Sequence, residues 1–198
     1  MGDNKKINIF LDLDNTLISA VPTEEMKWTK QNKDKAKNFD FHKLDNLYVI
    51  FERPNVQIFL DYLFENFNVS IWSAGTRDYV LYIIQKVLNK RKLDYVFFSY
   101  HCDIVKYITG DGPKDLTILS KTFGLNKFDM NNTIIIDDLK DVKNIQPCNC
   151  FQIKEFEFTD EGSENDNSLL ELIDKLKEYK EKFDSGKSDQ MCPIDNLT

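Results

Sequence analysis

The stretch Ile7-Asn8-Ile9-Phe10-Leu11-Asp12-Leu13-Asp14-Asn15-Thr16-Leu17-Ile18 decides how this chain folds. Ile9 to Leu13 is apolar except for Asp12, the pattern of a strand buried on both faces, and Asn15-Thr16 is the turn that ends it. Asp12 and Asp14 therefore sit at the C-terminal end of a strand. In an open parallel sheet that is where the backbone leaves the sheet and loops close around a ligand. A period of two predicts both carboxylates on one side, where they repel each other unless a cation or a shared proton intervenes. A divalent metal is the simplest remedy, although a short Asp-x-Asp pair in an acidic chain is by itself a weak motif.

Composition bounds the reading. With 198 residues, 41% of them hydrophobic, the chain can bury one core, and two full domains are not expected. Lys and Arg number 26 against 33 Asp and Glu, a formal net charge of -7, which argues against broad nucleic-acid binding. Residues 1–6 are polar and there is no 18-residue apolar run, so neither a signal peptide nor a membrane span is expected. Nucleus or cytoplasm is the expected compartment. The four cysteines, Cys102, Cys148, Cys150 and Cys192, lack the spacing of a disulfide framework.

After the first strand the pattern lapses over residues 19–46, an insertion longer than ordinary connections and read as a lid or a disordered loop. Trp28, Phe39 and Phe41 favour an ordered segment able to grip an apolar side chain. Lys27, Lys30, Lys33, Lys35 and Lys37 form a basic run that is either a solvated face or a means of holding an acidic partner. Leu47 to Phe51 predicts a short strand and Arg53-Pro54-Asn55 a turn into a helix over 55–66, with Val56, Phe59, Leu60, Leu63 and Phe64 at helical spacing.

Val69, Ile71 and Trp72 predict the second core strand, closed by Ser73-Ala74-Gly75-Thr76. Those small and hydroxyl residues leave room for a ligand at the start of a helix over 77–89. Leu93 to Phe98 is a further strand candidate, and Lys114-Asp115-Leu116 opens a helix through Phe123. A lysine there opposes the helix dipole, which suggests that it neutralises carboxylates or a bound phosphate. Asn132 to Ile136 is an apolar strand ending in Asp137-Asp138, a second carboxylate pair at a strand end. Residues 169–183 form an amphipathic closing helix, and 185–198 a flexible tail. The expected fold class is α/β, a Rossmann-like open parallel sheet with helices on both faces, as a single domain over residues 1–184 with the insertion 19–46.

The strand-end set resembles the haloacid dehalogenase superfamily, and more closely its FCP/SCP phosphatases, also called NLI-interacting-factor-like, which dephosphorylate the C-terminal repeat domain of RNA polymerase II. Their D-L-D-x-T-L motif is matched by Asp12-Leu13-Asp14-Asn15-Thr16-Leu17, and their R-P-G before a helix by Arg53-Pro54-Asn55. The W/Y-T-A-G/S-T-x-x-Y motif is matched by Trp72-Ser73-Ala74-Gly75-Thr76-Arg77-Asp78-Tyr79, the K-D-L by Lys114-Asp115-Leu116, and the I-I-x-D-D/N by Ile135-Ile136-Asp137-Asp138. The order is preserved, and the resemblance runs from about residue 7 to the helix near residue 183.

The resemblance implies a Mg2+-dependent phosphomonoester hydrolase working through an aspartyl phosphate on Asp12, with Asp14 as acid and then base. Mg2+ would be held by Asp12, the Asp14 carbonyl and Asp138. Ser73 and the backbone of Ala74, Gly75 and Thr76 would bind phosphoryl oxygens, and Lys114 would neutralise charge on the phosphate and on Asp12. Asp137 would orient Lys114 or a metal-bound water, and Thr16 would fix the loop that carries Asp14. The implied substrate is a phosphoserine protein segment such as the polymerase repeat. Alternatives are a phosphatase for nucleic-acid ends or small metabolites, and a catalytically idle binding or translocation component. The sequence departs from the family at Asn15, where many relatives have Glu, and at Asn55, where they have Gly.

Overall fold

The computed structural model describes residues 6–110 and 114–186. Five strands, β1 (Asn8–Leu11), β5 (Asn68–Trp72), β6 (Val96–Phe97), β7 (Thr133–Asp137) and β8 (Cys150–Gln152), form one parallel sheet in the order β6-β5-β1-β7-β8. The first strand is thus central, paired to β5 and β7, as its apolar run on both faces requires. Alternation along it separates two cores: Ile9 and Leu11 join α2 (Val56–Asn66), α3 (Arg77–Ile83) and α7 (Ser168–Asp184) on one face. Phe10 joins α4 (Ser99–Thr109), α5 (Thr117–Lys121) and α6 (Lys140–Ile145) on the other. Helices on both faces of a parallel sheet are the architecture expected from the sequence.

Several elements differ in extent. The strand over 93–98 shrinks to Val96–Phe97, and α3 runs on into a π-helical turn, Ile84–Leu88. Outside the insertion, two α-helices escape the periodicity reading: α4, whose capping depends on the His101 ring accepting from the Phe98 amide at 3.2 Å, and α6, only six residues long. Of the tail read over 185–198, residues 187–198 lie outside the described residues. Among the described residues no helix is long and apolar enough to cross a membrane.

The insertion is ordered, and it extends beyond 19–46. Strands β2 (Ile18–Pro22), β3 (Phe41–Leu44) and β4 (Tyr48–Glu52) form a separate antiparallel sheet, order β2-β4-β3, carrying the short helix α1 (Lys30–Ala36). The strand read at 47–51 therefore belongs to this cap. The cap has its own core of Met26, Ala36, Phe39, Val49 and Phe51, completed by Phe156 and Phe158 from the far end of the chain. Phe51 stacks on Phe158 with ring centroids 3.6 Å apart. Phe39 is thereby corrected from a gripping residue to a core one, since its ring lies buried among those of Phe51, Phe156 and Phe158. Trp28 and Phe41 remain partly exposed, at 37% and 41%.

Residues 155–166 strap the cap to the loop that follows β1. Asn15 Nδ2 donates to Glu155 at 2.7 Å, the Phe156 amide to the Asn15 carbonyl at 2.8 Å, and Ser19 to Glu157 at 3.2 Å. Lys35 donates to the Asp160 carbonyl and lies 3.7 Å from Glu164, so one of the five lysines of the basic run faces inward. Arg53, with its side chain wholly buried, grips Asp166 through two parallel hydrogen bonds of 2.9 Å and donates a third, of 3.0 Å, to the Thr16 carbonyl. The planar fork suits that bidentate geometry. Asn55 has φ 67°, the left-handed region where asparagine is the best substitute for glycine, so its departure from the family pattern preserves the turn.

Candidate active site

The ends of β5, β1 and β7 bring together Ser73, Asp12 and Asp137-Asp138, as the strand-end pattern predicts. The central strand ends at Leu11, so Asp12 and Asp14 lie on the loop just beyond it, with Leu13 between them still packed in the core of Ile9 and Leu11. Asp12 is crowded by Asp137 and Asp138, with ligand oxygens of the three within 4.8 Å of one another, while the Asp14 side chain turns to Tyr79, whose hydroxyl donates to Asp14 Oδ1.

Lys114 lies three residues before α5 and not at its first turn. Its Nζ reaches Asp12 Oδ1 at 2.6 Å and Asp137 Oδ2 at 2.7 Å, with the side chain only 1% exposed. Burial works against its charge, but Asp12 and Asp137 outweigh this and hold its pKa above the ordinary lysine value. The segment is held by Gln146, whose amide donates to the Lys114 carbonyl at 2.7 Å and accepts from the Leu116 amide at 3.0 Å. Sequence reasoning missed Gln146, because nothing local to it signals a partner 30 residues away.

The carboxylates divide by what they bind. Asp137 commits both oxygens, Oδ2 to Lys114 and Oδ1 to the Leu139 amide at 2.9 Å, which fits an orienting role. Asp138 commits Oδ1 to the Thr16 hydroxyl at 3.3 Å. Burial is the largest influence on Asp12, Asp14 and Asp138 and raises all three pKa values. The neighbouring carboxylates add to it at Asp12 and Asp138, while the Tyr79 hydrogen bond opposes it at Asp14. Three carboxylates against one ammonium leave two formal negative charges at this point. An all-oxygen donor set with that excess fits a hard divalent cation such as Mg2+.

Ser73 is fully buried, and its Oγ accepts from the Gly75 amide at 3.0 Å, which leaves the hydroxyl proton to donate. Ala74 and Gly75 form the turn into α3, and Thr76 precedes its first residue. The turn is braced from α4, where the Ser99 amide donates to the Gly75 carbonyl at 2.9 Å and Cys102 Sγ to the Ser73 carbonyl at 3.7 Å. Tyr79 entered the sequence reading only as a motif position. Its burial, and then the Asp14 charge, push its pKa up, so it remains a donor.

Residues 7–186 match the family model of the NLI interacting factor-like phosphatases. The chain is 44% identical over 178 residues to the CTD phosphatase-like protein 355R of Invertebrate iridescent virus 6, covering 87% of this chain and 98% of that one. It is 36% identical over 188 residues to the corresponding protein of Invertebrate iridescent virus 3, covering 91% and 100%. Among solved structures, Fcp1, described as an essential RNA polymerase II CTD phosphatase, superimposes with a TM-score of 0.63 at 18% identity, over 93% of this chain and 65% of that one. A haloacid dehalogenase-like hydrolase from Streptococcus pneumoniae superimposes with a TM-score of 0.51 at 11% identity, over 88% of this chain and 100% of that one. From the family match and the viral relatives together, the chain belongs to the NLI interacting factor-like phosphatase family.

Proposed function

We propose that this protein hydrolyses phosphoserine in a flexible protein segment through an aspartyl phosphate on Asp12. The observation that carries the reading is the Asp12 carboxylate gripped by Lys114 beside Asp138, with Ser73 at the adjoining strand end. Mg2+, bound by Asp12, Asp138 and the Asp14 carbonyl, would offset the negative charge that otherwise keeps a phosphate away. Lys114 and the Ser73 hydroxyl bind the phosphoryl oxygens, and Lys114 aims Asp12 and favours its ionised form against the burial that opposes it. An Asp12 oxygen bonds to phosphorus as the bond from phosphorus to the serine oxygen breaks. The electron pair leaves on that oxygen, which takes the proton of the Asp14 carboxyl. Water then attacks the phosphorus and gives a proton back to Asp14, and the bond to Asp12 breaks to release phosphate.

These groups recognise a phosphoryl group and nothing of what bears it, so the cap must select the substrate. Trp28 and Phe41, with the exposed Lys27, Lys30 and Lys33, suit an acidic segment that carries an apolar side chain. The RNA polymerase II repeat is the substrate that the viral relatives and Fcp1 suggest.

The test is a turnover panel. Aryl phosphate hydrolysis should vanish in excess chelator and return with Mg2+, and kcat/KM for phosphoserine peptides should exceed that for a 3'-phosphorylated oligonucleotide. Trp28→Ala and paired Lys30→Glu/Lys33→Glu should lower the peptide value and spare the aryl one. Deleting the segment is a poorer test, because Met26, Ala36 and Phe39 hold the cap core together. An oligonucleotide that outpaces every peptide would overturn the substrate and leave the chemistry.

A further inference from the structure

We propose that Tyr79 is a positioning residue whose hydroxyl holds the Asp14 carboxyl in the attitude from which it exchanges a proton with the leaving oxygen. The inference rests on the reading of Asp14 as acid and base given above.

Three features place the hydroxyl. Its bond to Asp14 Oδ1 spans 65 residues of sequence and joins α3 to the catalytic loop. Gly75 makes room for the ring: a Cβ there would lie 2.7 Å from Tyr79 Cδ1, closer than such atoms approach, and a tight 3.2 Å from both Tyr79 Cε1 and Ser73 Oγ. On the cap side, Tyr48 packs edge-on against the same ring, with centroids 5.6 Å apart and planes at 64°. The tyrosine is thus set between the phosphate-side turn and the cap, with its tip on the carboxyl that must deliver a proton.

A carboxyl rotates about its terminal torsion in a broad, two-fold well, so nothing intrinsic selects which oxygen faces the substrate. A donor fixed on Oδ1 makes Oδ2 the oxygen that gives a proton to the departing serine oxygen and later takes one from water. Holding that oxygen in place shortens the search for a reactive geometry, and general acid catalysis depends steeply on such placement.

The signature is leaving-group dependence. A serine alkoxide needs the proton as it departs, whereas a nitrophenolate leaves without one. The experiment compares Tyr79→Phe, which keeps the ring and removes only the hydroxyl, with the wild-type enzyme in rapid-quench measurements. It reads the first-turnover rates on a phosphoserine peptide and on p-nitrophenyl phosphate, with Mg2+ present. We expect the ratio of peptide to nitrophenyl rate to fall about tenfold. Gly75→Ala, which displaces the ring, should lower the ratio in the same direction, and thermal melts of both variants check that the fold persists. Asp14→Asn serves as the reference and should lower the ratio further. If Asp14→Asn leaves the ratio at the wild-type value, the reading of Asp14 as acid falls, and the proposal with it. If Asp14→Asn lowers the ratio while Tyr79→Phe leaves it unchanged or slows both substrates equally, the positioning role alone is overturned.

Discussion

Two rows of polar side chains cross the same three strands at opposite ends of the sheet. At the N-terminal ends, Asn68 donates to Asn8 at 3.1 Å, Asn8 to Asn132 at 3.2 Å, and Asn132 to the Lys127 carbonyl at 3.1 Å, with the Thr133 hydroxyl also donating to Asn132 at 2.8 Å. This row is neutral, and its members satisfy one another. At the C-terminal ends, Ser73, Asp12, Asp137 and Asp138 meet Lys114 with an excess of negative charge that the protein alone does not balance. Both rows are polar and largely buried, so burial does not distinguish them. A closed hydrogen-bond account marks architecture, and an open charge account marks the place where something must be bound.

The largest expected effect lies at the charged end. Asp12→Asn should reduce turnover at least roughly a thousandfold in a phosphate-release assay while circular dichroism shows the fold intact. A folded variant with near-normal rates would erase the contrast. Lys114→Met should cost about a hundredfold in kcat/KM, the usual loss when one charge-stabilising donor is removed from a reacting centre. Steady-state kinetics on an aryl phosphate suffice to check it, because the aryl substrate makes no demand on the cap.

The Arg53 to Asp166 pair should behave as architecture although it is charged. Asp166→Asn should lower unfolding stability by about 2 kcal/mol at neutral pH, less than a fully buried pair would lose, because Asp166 keeps some solvent contact. Burial opposes ionisation of Asp166, but the Arg53 hydrogen bonds and charge win and hold its pKa below the ordinary carboxylate value. A lowered pKa contributes stability above the unfolded-state value of about 3.9, and that contribution is lost as pH falls through the folded-state value. Denaturant curves of the two proteins should therefore converge in acid.

At the neutral end, Asn8→Ala should cost about 1 to 2 kcal/mol by leaving neighbouring amides unpaired, with kcat/KM unchanged. A drop in turnover there would show that the two rows are coupled. The smallest effect belongs to a residue in neither row. Asn55→Gly should shift stability by a few tenths of a kcal/mol, because either residue accepts its left-handed backbone, whereas Asn55→Val should destabilise measurably in the same melts.

The charged row was legible in the sequence because its signal is local: apolar runs that end in carboxylates, a hydroxyl before a helix, and a lysine read as opening a helix that in fact starts three residues later. The parallel sheet with helices on both faces followed from the same runs. What escaped depends on distant partners. Tyr79 stood out only as a motif position until Asp14 was placed against it, Gln146 carried no signal until Lys114 was, and Phe39 looked free until Phe156 and Phe158 covered it. The insertion was readable as ordered from its aromatics. Its antiparallel sheet was not, because β2 continues the first apolar stretch with only the short turn between them. Helix α6 was too short for a period to show.

The strap over residues 155–166 has a consequence for how the molecule is made. Its bonds to Asn15 and Ser19 close loops of about 140 residues. Half of the cap's aromatic packing therefore comes from residues that leave the ribosome long after the cap strands themselves. In chain order the cap strands come before β5 to β8, and the strap that completes the cap comes after β8. Such non-local closure is the slow kind, and until it occurs the Phe39 and Phe51 rings stand uncovered on the nascent chain. The loop after β1, tied to the same strap through Asn15 and Arg53, acquires its final shape only then, together with the cap.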